Sequence, residues 1–210
     1  MKDVLSRMKE DKRIKLINSA MKEFGTNKFD KASTNVIVRE ANISKGLLFH
    51  YFETKEAVFD YLVVFTIKSM GKTIIDNVDW SDGDLINRMH KVINLKLTIL
   101  EKYPYMFDFG KMMYDSKSID DVKKITDKYI PDLYYKVYSH NIDFTLFKDN
   151  LDVSRVIKII QLFLDGYSDM MLQKYKKEII SRDDLNKEME ELTTYLEMYK
   201  AAFYIKDSVN

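Results

Sequence analysis

A stretch of fourteen residues, ISKGLLFHYFETKE at positions 43–56, brings hydrogen-bond donors and aromatic rings close together. Lys45 and His50 can donate hydrogen bonds to guanine O6 and N7 or to phosphate oxygens. Gly46 has no side chain, so the backbone at that position can approach a duplex closely. A helix over this stretch has an outward face formed by Lys45, Gly46, Leu47, Phe49 and His50. Donors grouped on one helical face are typical of contact with DNA.

Two apolar residues of the same stretch, Leu48 and Phe52, are four positions apart and can pack with Ile43 on a small core. Taken alone, the stretch also fits an amphipathic helix whose aromatic side chains are simply buried. The neighbouring segments distinguish the two interpretations. A first helix is predicted from an apolar stripe that ends at Gly25, where a left-handed C-terminal cap is expected. That stripe consists of Ile14, Ile17, Met21 and Phe24.

The segments that follow predict a turn between two short helices. A second helix begins near Ser33 or Thr34, because either hydroxyl can cap a helix N-terminus. Asn42 tolerates a positive φ better than other residues that carry a Cβ, so it can form a tight turn. Thr54 is a favourable cap for a fourth helix, with Glu56 near the positive end of its dipole. This order of elements predicts a helix-turn-helix, whose third helix enters the DNA major groove.

Several motifs keep the spacing of one known family: the EFG ending of the first helix, the Ser/Thr pair before the second, and SKGLLFHYF followed by KE. Residues 17–63 therefore resemble the TetR family of bacterial transcriptional repressors. The resemblance implies that Thr34, Tyr51 and Lys55 hold phosphates. It implies that Lys45, Gly46, Phe49 and His50 approach bases or the adjoining backbone. The residues expected to contact DNA are Thr34, Ser44, Lys45, Gly46, Leu47, Phe49, His50, Tyr51 and Lys55.

Four positions depart from the pattern of that family. Leu47 replaces a small polar residue, so packing or contact with a thymine methyl group is expected there instead of a phosphate hydrogen bond. Phe49 lacks the hydroxyl of the more usual tyrosine. Asn42 replaces the usual glycine of the turn, and Val38 replaces a commoner alanine; both changes are compatible with a helix-turn-helix.

The rest of the chain is predicted to be helical as well. Only 6 glycines and 2 prolines interrupt 210 residues, and apolar positions recur at intervals of three and four. Further helices are expected at about 83–102, 104–114, 118–140, 152–176 and 183–205. The predicted fold class is all-α, with an N-terminal three-helix DNA-binding domain at residues 1–56. A larger helical bundle for ligand binding and dimerisation is expected at residues 57–210.

Two of the later helices are expected to pair with a second copy of the chain. Residues 153–164 are apolar around most of the helix, and a regular apolar stripe follows residues 185–203. The interface is expected to involve Ile160, Leu164, Leu192, Leu196, Tyr199 and Phe203. A purely intramolecular core explains the same pattern. Dimerisation is favoured because one short recognition helix makes few contacts, whereas a two-fold dimer contacts two half-sites.

A concentration of aromatic and methionine side chains suggests a pocket for a bulky, mostly apolar effector. The residues expected to line it are Tyr103, Phe107, Phe109, Met113, Tyr134, Tyr138, Phe163 and Tyr167. An ordinary hydrophobic core is the alternative interpretation of this group. An effector that prefers the conformation with wrongly spaced recognition helices would weaken DNA binding by linkage.

Composition excludes several other classes of protein. The chain has no cysteine, which rules out disulfides and thiolate chemistry, and its three histidines lack the spacing of metal-binding or catalytic motifs. We therefore expect neither an enzyme nor a cofactor. The longest apolar run, AVFDYLVVFTI, falls short of the roughly 18 residues that suggest a membrane span. A cytoplasmic protein without a membrane partner is expected.

Charge is unevenly distributed along the chain. Net charge is only +1, but residues 1–56 hold 12 basic and 8 acidic residues, a net charge of +4. The positive end thus coincides with the predicted DNA-binding domain. The expected function is a ligand-responsive regulator, most simply a repressor, that binds a palindromic double-stranded operator as a homodimer. The alternative is a DNA-binding protein whose C-terminal domain mediates protein contacts or assembly without an effector.

Overall fold

A computed structural model describes residues 4–175 and 180–205 and is helical throughout these ranges apart from short connections. The helices are α1 Glu10–Thr26, α2 Thr34–Ala41, α3 Lys45–Tyr51, α4 Lys55–Asn77, α5 Leu85–Lys102, α6 Met106–Ser116, α7 Ile119–Tyr129, α8 Leu133–Tyr138, α9 Val153–Lys174 and α10 Arg182–Phe203. Two 3-10 turns lie at Phe29–Lys31 and Phe144–Leu146. An isolated antiparallel bridge pairs Phe147 with Tyr204. The all-α prediction is confirmed.

Two predicted helix boundaries are wrong. The helix expected at 118–140 is divided into α7 and α8, because Pro131 disfavours helical geometry at the preceding residue and Asp132 adopts a φ of 60°. Gly25 is not a left-handed cap, since α1 continues to Thr26 and the glycines that the structure describes have no positive φ. Asn27, which follows α1, is extended.

The first compact unit consists of Met1–Lys72 with Leu97–Pro131. Its core contains an aromatic cluster in which the rings of Phe24 and Phe59 lie 5.3 Å apart and those of Phe59 and Phe109 also lie 5.3 Å apart. Helices α1 and α6 approach so closely that a Cβ added to Gly25 would lie 2.9 Å from the Cβ of Asp108. Gly25 is therefore needed for close helix packing.

The second compact unit consists of Thr73–Lys96 with Asp132–Asn210. Asp84 is buried in it and accepts a hydrogen bond from the Tyr204 hydroxyl at 3.0 Å, with the Lys200 ammonium 3.0 Å from its other oxygen. Arg88 is also buried, and its guanidinium donates to the carbonyls of Asp82 at 2.7 Å and His140 at 2.7 Å. These polar contacts hold the ends of α5, α8 and α10 together.

Candidate nucleic-acid interface

The turn between α2 and α3 has the geometry that the sequence predicts. Asn42 adopts a left-handed conformation with φ 52° and ψ 50°. The N–H of Ile43 donates to the carbonyl of Val38 at 3.0 Å, which closes the turn. Ser44 then caps α3, because its Oγ accepts a hydrogen bond from the Leu47 N–H at 3.1 Å. The predicted role of Asn42 in the turn is confirmed.

Helix α3 has one buried and one exposed face. Leu48 is 0% exposed and Phe52, just after the helix, is also buried in the apolar core. Lys45, Gly46 and His50 are exposed on the other side. The remaining outward residues, Leu47, Phe49 and Tyr51, are half-buried. This face combines a cation, an imidazole and aromatic surface.

Gly46 leaves the exposed face of α3 open. A Cβ at this position would meet only the Ser44 Oγ, at 4.0 Å, so nothing within the chain requires a glycine here. The Lys45 ammonium lies 5.9 Å from the centre of the Phe49 ring, and the rings of His50 and Tyr51 are 5.3 Å apart. The donors of Lys45 thus remain available at the surface.

The N-terminus of α2 is held by a different group from the one predicted. Ser33 occupies the N-cap position, but its hydroxyl makes no capping hydrogen bond. Instead, the backbone N–H of Ser33 donates to Glu23 Oε1 at 2.8 Å. Thr34 is the first residue of α2 and is half-buried. No pattern in the sequence indicated that a glutamate near the end of α1 binds this amide.

Helix α4 begins as predicted. The Thr54 Oγ1 accepts a hydrogen bond from the Ala57 N–H at 3.1 Å, which caps the helix. The backbone N–H of Glu56 and the Thr54 hydroxyl both lower the pKa of the Glu56 carboxyl. A carboxylate in the first turn therefore complements the positive end of the helix dipole.

The Lys55 side chain is half-buried, and its ammonium is bound to main-chain carbonyls. Its Nζ lies 2.8 Å from the carbonyl oxygen of Phe29, 3.3 Å from that of Ala32 and 3.4 Å from that of Asp30. It also lies 4.6 Å from the centre of the Phe29 ring. Sequence reasoning missed these partners, since they come from a loop more than twenty residues away.

The eight residues expected to contact an effector lie in different units. Tyr103, Phe109 and Met113 are buried in the core of the first unit, together with the side chains that support α3. Phe107, on the same helix as Phe109 and Met113, is half-buried, and the Lys111 ammonium lies 5.5 Å from the centre of its ring. In this unit the aromatic residues thus belong largely to the core.

The other four expected effector contacts form two aromatic pairs in the second unit. The rings of Tyr134 and Tyr138 are 4.8 Å apart, and those of Phe163 and Tyr167 are 5.9 Å apart. Tyr134 is 55% exposed, whereas burial and then the nearby charge of Asp165 raise the pKa of Tyr138. Tyr167 is buried and donates to Glu188.

Half of the residues expected at a dimer interface are buried inside the second unit. Ile160, Leu192 and Leu196 are buried within a single chain. The other three expected residues, Leu164, Tyr199 and Phe203, are half-buried. The large apolar side chains that α9 and α10 leave exposed are instead Ile159, Leu162, Met170 and Met198.

Among the residues that the structure describes, no group of His, Asp and Glu side chains is arranged to hold a metal ion. Within the described helices, none is both long and apolar enough to cross a membrane.

Comparison with known proteins places the helix-turn-helix in a family. Residues 16–62 match the sequence profile described as bacterial regulatory proteins, tetR family. Among curated protein sequences, none matches the chain significantly. A solved TetR family transcriptional regulator from Chloroflexus aurantiacus J-10-fl is similar with a TM-score of 0.60 and 14% identity, over 95% of this chain and 96% of that chain. A transcriptional regulator from Cytophaga hutchinsonii ATCC 33406 has a TM-score of 0.57 and 15% identity, over 90% of this chain and 97% of that chain.

At these identities the solved structures establish a shared fold, and the profile match identifies the helix-turn-helix segment as similar to the tetR family. The matched segment runs from α1 into α4 and includes the turn at Asn42 and the capped recognition helix. The resemblance to the TetR family is therefore confirmed. Residues 16–62 thus carry the sequence pattern of the tetR family of bacterial regulatory proteins, and the chain as a whole shares the fold of solved transcriptional regulators.

Proposed function

We propose that the protein is a ligand-responsive repressor that binds a palindromic operator as a homodimer in the cytoplasm and is released by a bulky, mostly apolar small molecule. The observation that carries the proposal is the exposed face of α3, where Lys45, Gly46 and His50 are accessible beside a core that fixes the helix. We propose residues 1–56 as the DNA-binding domain and residues 57–210 as the part that dimerises and binds the effector.

The exposed face of α3 supplies the donors that base edges and phosphates accept. Lys45 can reach guanine O6 and N7, and His50 can donate through either ring nitrogen. Ser44 Oγ accepts the Leu47 N–H, so its own hydroxyl hydrogen remains free to donate to a phosphate. Tyr51 flanks this face, and Thr34 offers a further hydroxyl at the start of α2. Leu47 and Phe49 supply apolar contact with thymine methyl groups.

A second copy of the chain is the proposed occupant of the exposed apolar stripe on α9 and α10. Leu162 is 58% exposed and Met198 is 62% exposed, and Ile159 lies one turn before Leu162. Gly166 follows one turn later with open space around it, which permits close approach of a second helix. A two-fold pairing of these helices would present two recognition helices to two half-sites.

The two aromatic pairs of the second unit are the proposed effector contacts. Tyr134 keeps more than half of its surface exposed while its ring is tilted by 50° against that of Tyr138, so a flat ligand can pack on its free face. Phe163 is half-buried and contacts Tyr195 and Tyr199 on α10. A ligand bound there would act on the helices proposed to dimerise, and hence on the spacing of the recognition helices.

Selection from randomised oligonucleotides tests the DNA-binding part of the proposal. We expect enrichment of a palindrome, and Lys45→Ala should weaken the enriched site by more than it weakens random DNA, by about 1–3 kcal/mol if Lys45 contacts a base. Failure to enrich any sequence would refute specific operator binding. Equal losses on both DNAs would make Lys45 a phosphate contact.

Light scattering tests the dimer. Leu162→Lys should convert a dimer to a monomer, because it places a charge in the apolar stripe, whereas Glu190→Lys elsewhere on exposed α10 surface should not. A wild-type monomer would refute the proposal.

For the effector, ligands that raise the melting temperature should also release the operator. Trp80, the sole tryptophan, provides a fluorescence signal within the second unit.

A further inference from the structure

The connection between α1 and α2 is held from two sides. This connection, residues 28–33, contains the 3-10 turn Phe29–Lys31 and leads directly into α2. Glu23 on α1 contacts one end of it and Lys55 at the start of α4 contacts the rest. We call this arrangement of Glu23, Lys55 and residues 28–33 the α2 clamp.

Lys55 uses its full donor capacity within the α2 clamp. An ammonium group carries three N–H donors. Three carbonyl oxygens, those of Phe29, Asp30 and Ala32, lie within 3.4 Å of Nζ, and the Phe29 ring covers it at 4.6 Å. Contact with a phosphate would require Lys55 to leave these acceptors. Three main-chain carbonyls would then lose a charged donor.

Glu23 binds a backbone N–H donor of the same segment, whereas Lys55 binds its carbonyl acceptors. Its side chain is buried, and its Oε1 accepts the Ser33 N–H at 2.8 Å. That amide lies at the N-cap of α2, where helix geometry provides no internal acceptor and the Ser33 hydroxyl makes no cap. A carboxylate therefore binds the donor end of the segment while an ammonium binds its acceptors.

The α2 clamp affects DNA binding through the position of α2 and of the recognition helix α3. The α2 clamp ties the N-terminus of α2 to both α1 and α4, and α2 is joined to α3 by the single turn at Asn42. We propose that Lys55 is a positioning residue rather than a phosphate contact: together with Glu23 it fixes where Thr34 and the recognition helix stand relative to the duplex. The role in DNA binding rests on the proposed function, whereas the clamp itself does not.

The salt dependence of operator binding separates positioning from contact. Each phosphate contact that is lost lowers the slope of log K against log[salt] by about 0.9. Lys55→Met should weaken operator binding, leave this slope unchanged and lower the melting temperature by about 3–10 °C. Lys45→Met is the matched control, because Lys45 is exposed; it should leave the melting temperature unchanged. Glu23→Ala should reproduce the pattern of Lys55→Met.

The proposal would be overturned by a Lys55→Met variant that keeps the wild-type melting temperature while the slope of log K against log[salt] falls by about 0.9. If the variant does not fold, acetylation of wild-type lysines with an N-hydroxysuccinimide ester decides the matter. Lys55 should react several-fold more slowly than Lys45 without DNA, and the operator should not slow it further. Rapid labelling of Lys55 that the operator suppresses would likewise overturn the proposal. Absence of operator binding by the wild type would refute the proposed function, while the melting and labelling results would still test the clamp.

Discussion

Replacing Gly25 by alanine should destabilise the protein, although the same change in most helices is stabilising. A Cβ at Gly25 would lie 2.9 Å from the Cβ of Asp108, 3.0 Å from its carbonyl carbon and 3.1 Å from the Phe109 nitrogen. These atoms belong to the backbone of α6 or are attached to it directly, so no flexible side chain can move aside. Separating α1 from α6 is therefore required, at a cost of about 1–3 kcal/mol for overpacking.

The gain in helix propensity opposes this cost but is smaller. Alanine is favoured over glycine inside a helix by about 0.8–1 kcal/mol. The net expectation for Gly25→Ala is a loss of up to about 2 kcal/mol, or a fall in melting temperature of up to about 8 °C. Gly110→Ala is the matched control on α6, because a Cβ there meets nothing within 4 Å. It should stabilise the protein by up to about 1 kcal/mol.

Thermal unfolding followed by circular dichroism at 222 nm measures both variants. The contrast between the two alanines is the decisive quantity, since backbone entropy affects both in the same way. A Gly25→Ala variant that gains as much stability as Gly110→Ala would show that α1 and α6 can separate without loss. Equal destabilisation by both substitutions would show that steric contact at Gly25 is not the cause.

Three further predictions concern buried charge, the turn and pH. Asp108→Ala should cost about 3–5 kcal/mol in urea unfolding, because it leaves the buried Lys111 ammonium without the carboxylate 2.6 Å away; Asp108→Leu combined with Lys111→Met should recover most of that loss. Asn42→Ala should cost about 1–2 kcal/mol at φ 52°, whereas Asn42→Gly should cost less, which melting temperatures will show. Burial alone would raise the pKa of Glu188, but hydrogen bonds from Lys174, Tyr175 and Tyr167 lower it overall. Its stabilising effect is therefore complete above the unfolded value of about 4.3 and lost as the pH falls below it; Glu188→Gln should flatten that acid-side loss in a pH series of melting temperatures.

Local signals predicted the helix-turn-helix well. The left-handed Asn42, the Thr54 cap and the buried pair Leu48 and Phe52 each depend on residues within a few positions of one another. The caps and the 3.6-residue period therefore carried enough information to place α3 and its outward face. The division of 118–140 was missed, although Pro131 was a visible local signal for it.

Contacts between distant segments were not predictable in the same way. The partners of Lys55 lie in the connection after α1, and the neighbour that makes Gly25 necessary lies on α6. An apolar stripe also does not reveal which of its sides is covered within one chain. Hence Ile160 and Leu196, expected at a dimer interface, are buried in the second unit, while Leu162 is exposed.

The end of α10 limits where the chain can be truncated or fused to a tag. Tyr204 is 1% exposed and reaches Asp84, while the N–H of Ile205 donates to the Leu146 carbonyl at 3.0 Å. A nonsense codon at position 204 would remove the phenol that fills this interior space and leave the Asp84 carboxylate with fewer donors. Reporter fusions and purification tags should therefore follow Ile205 and never replace it.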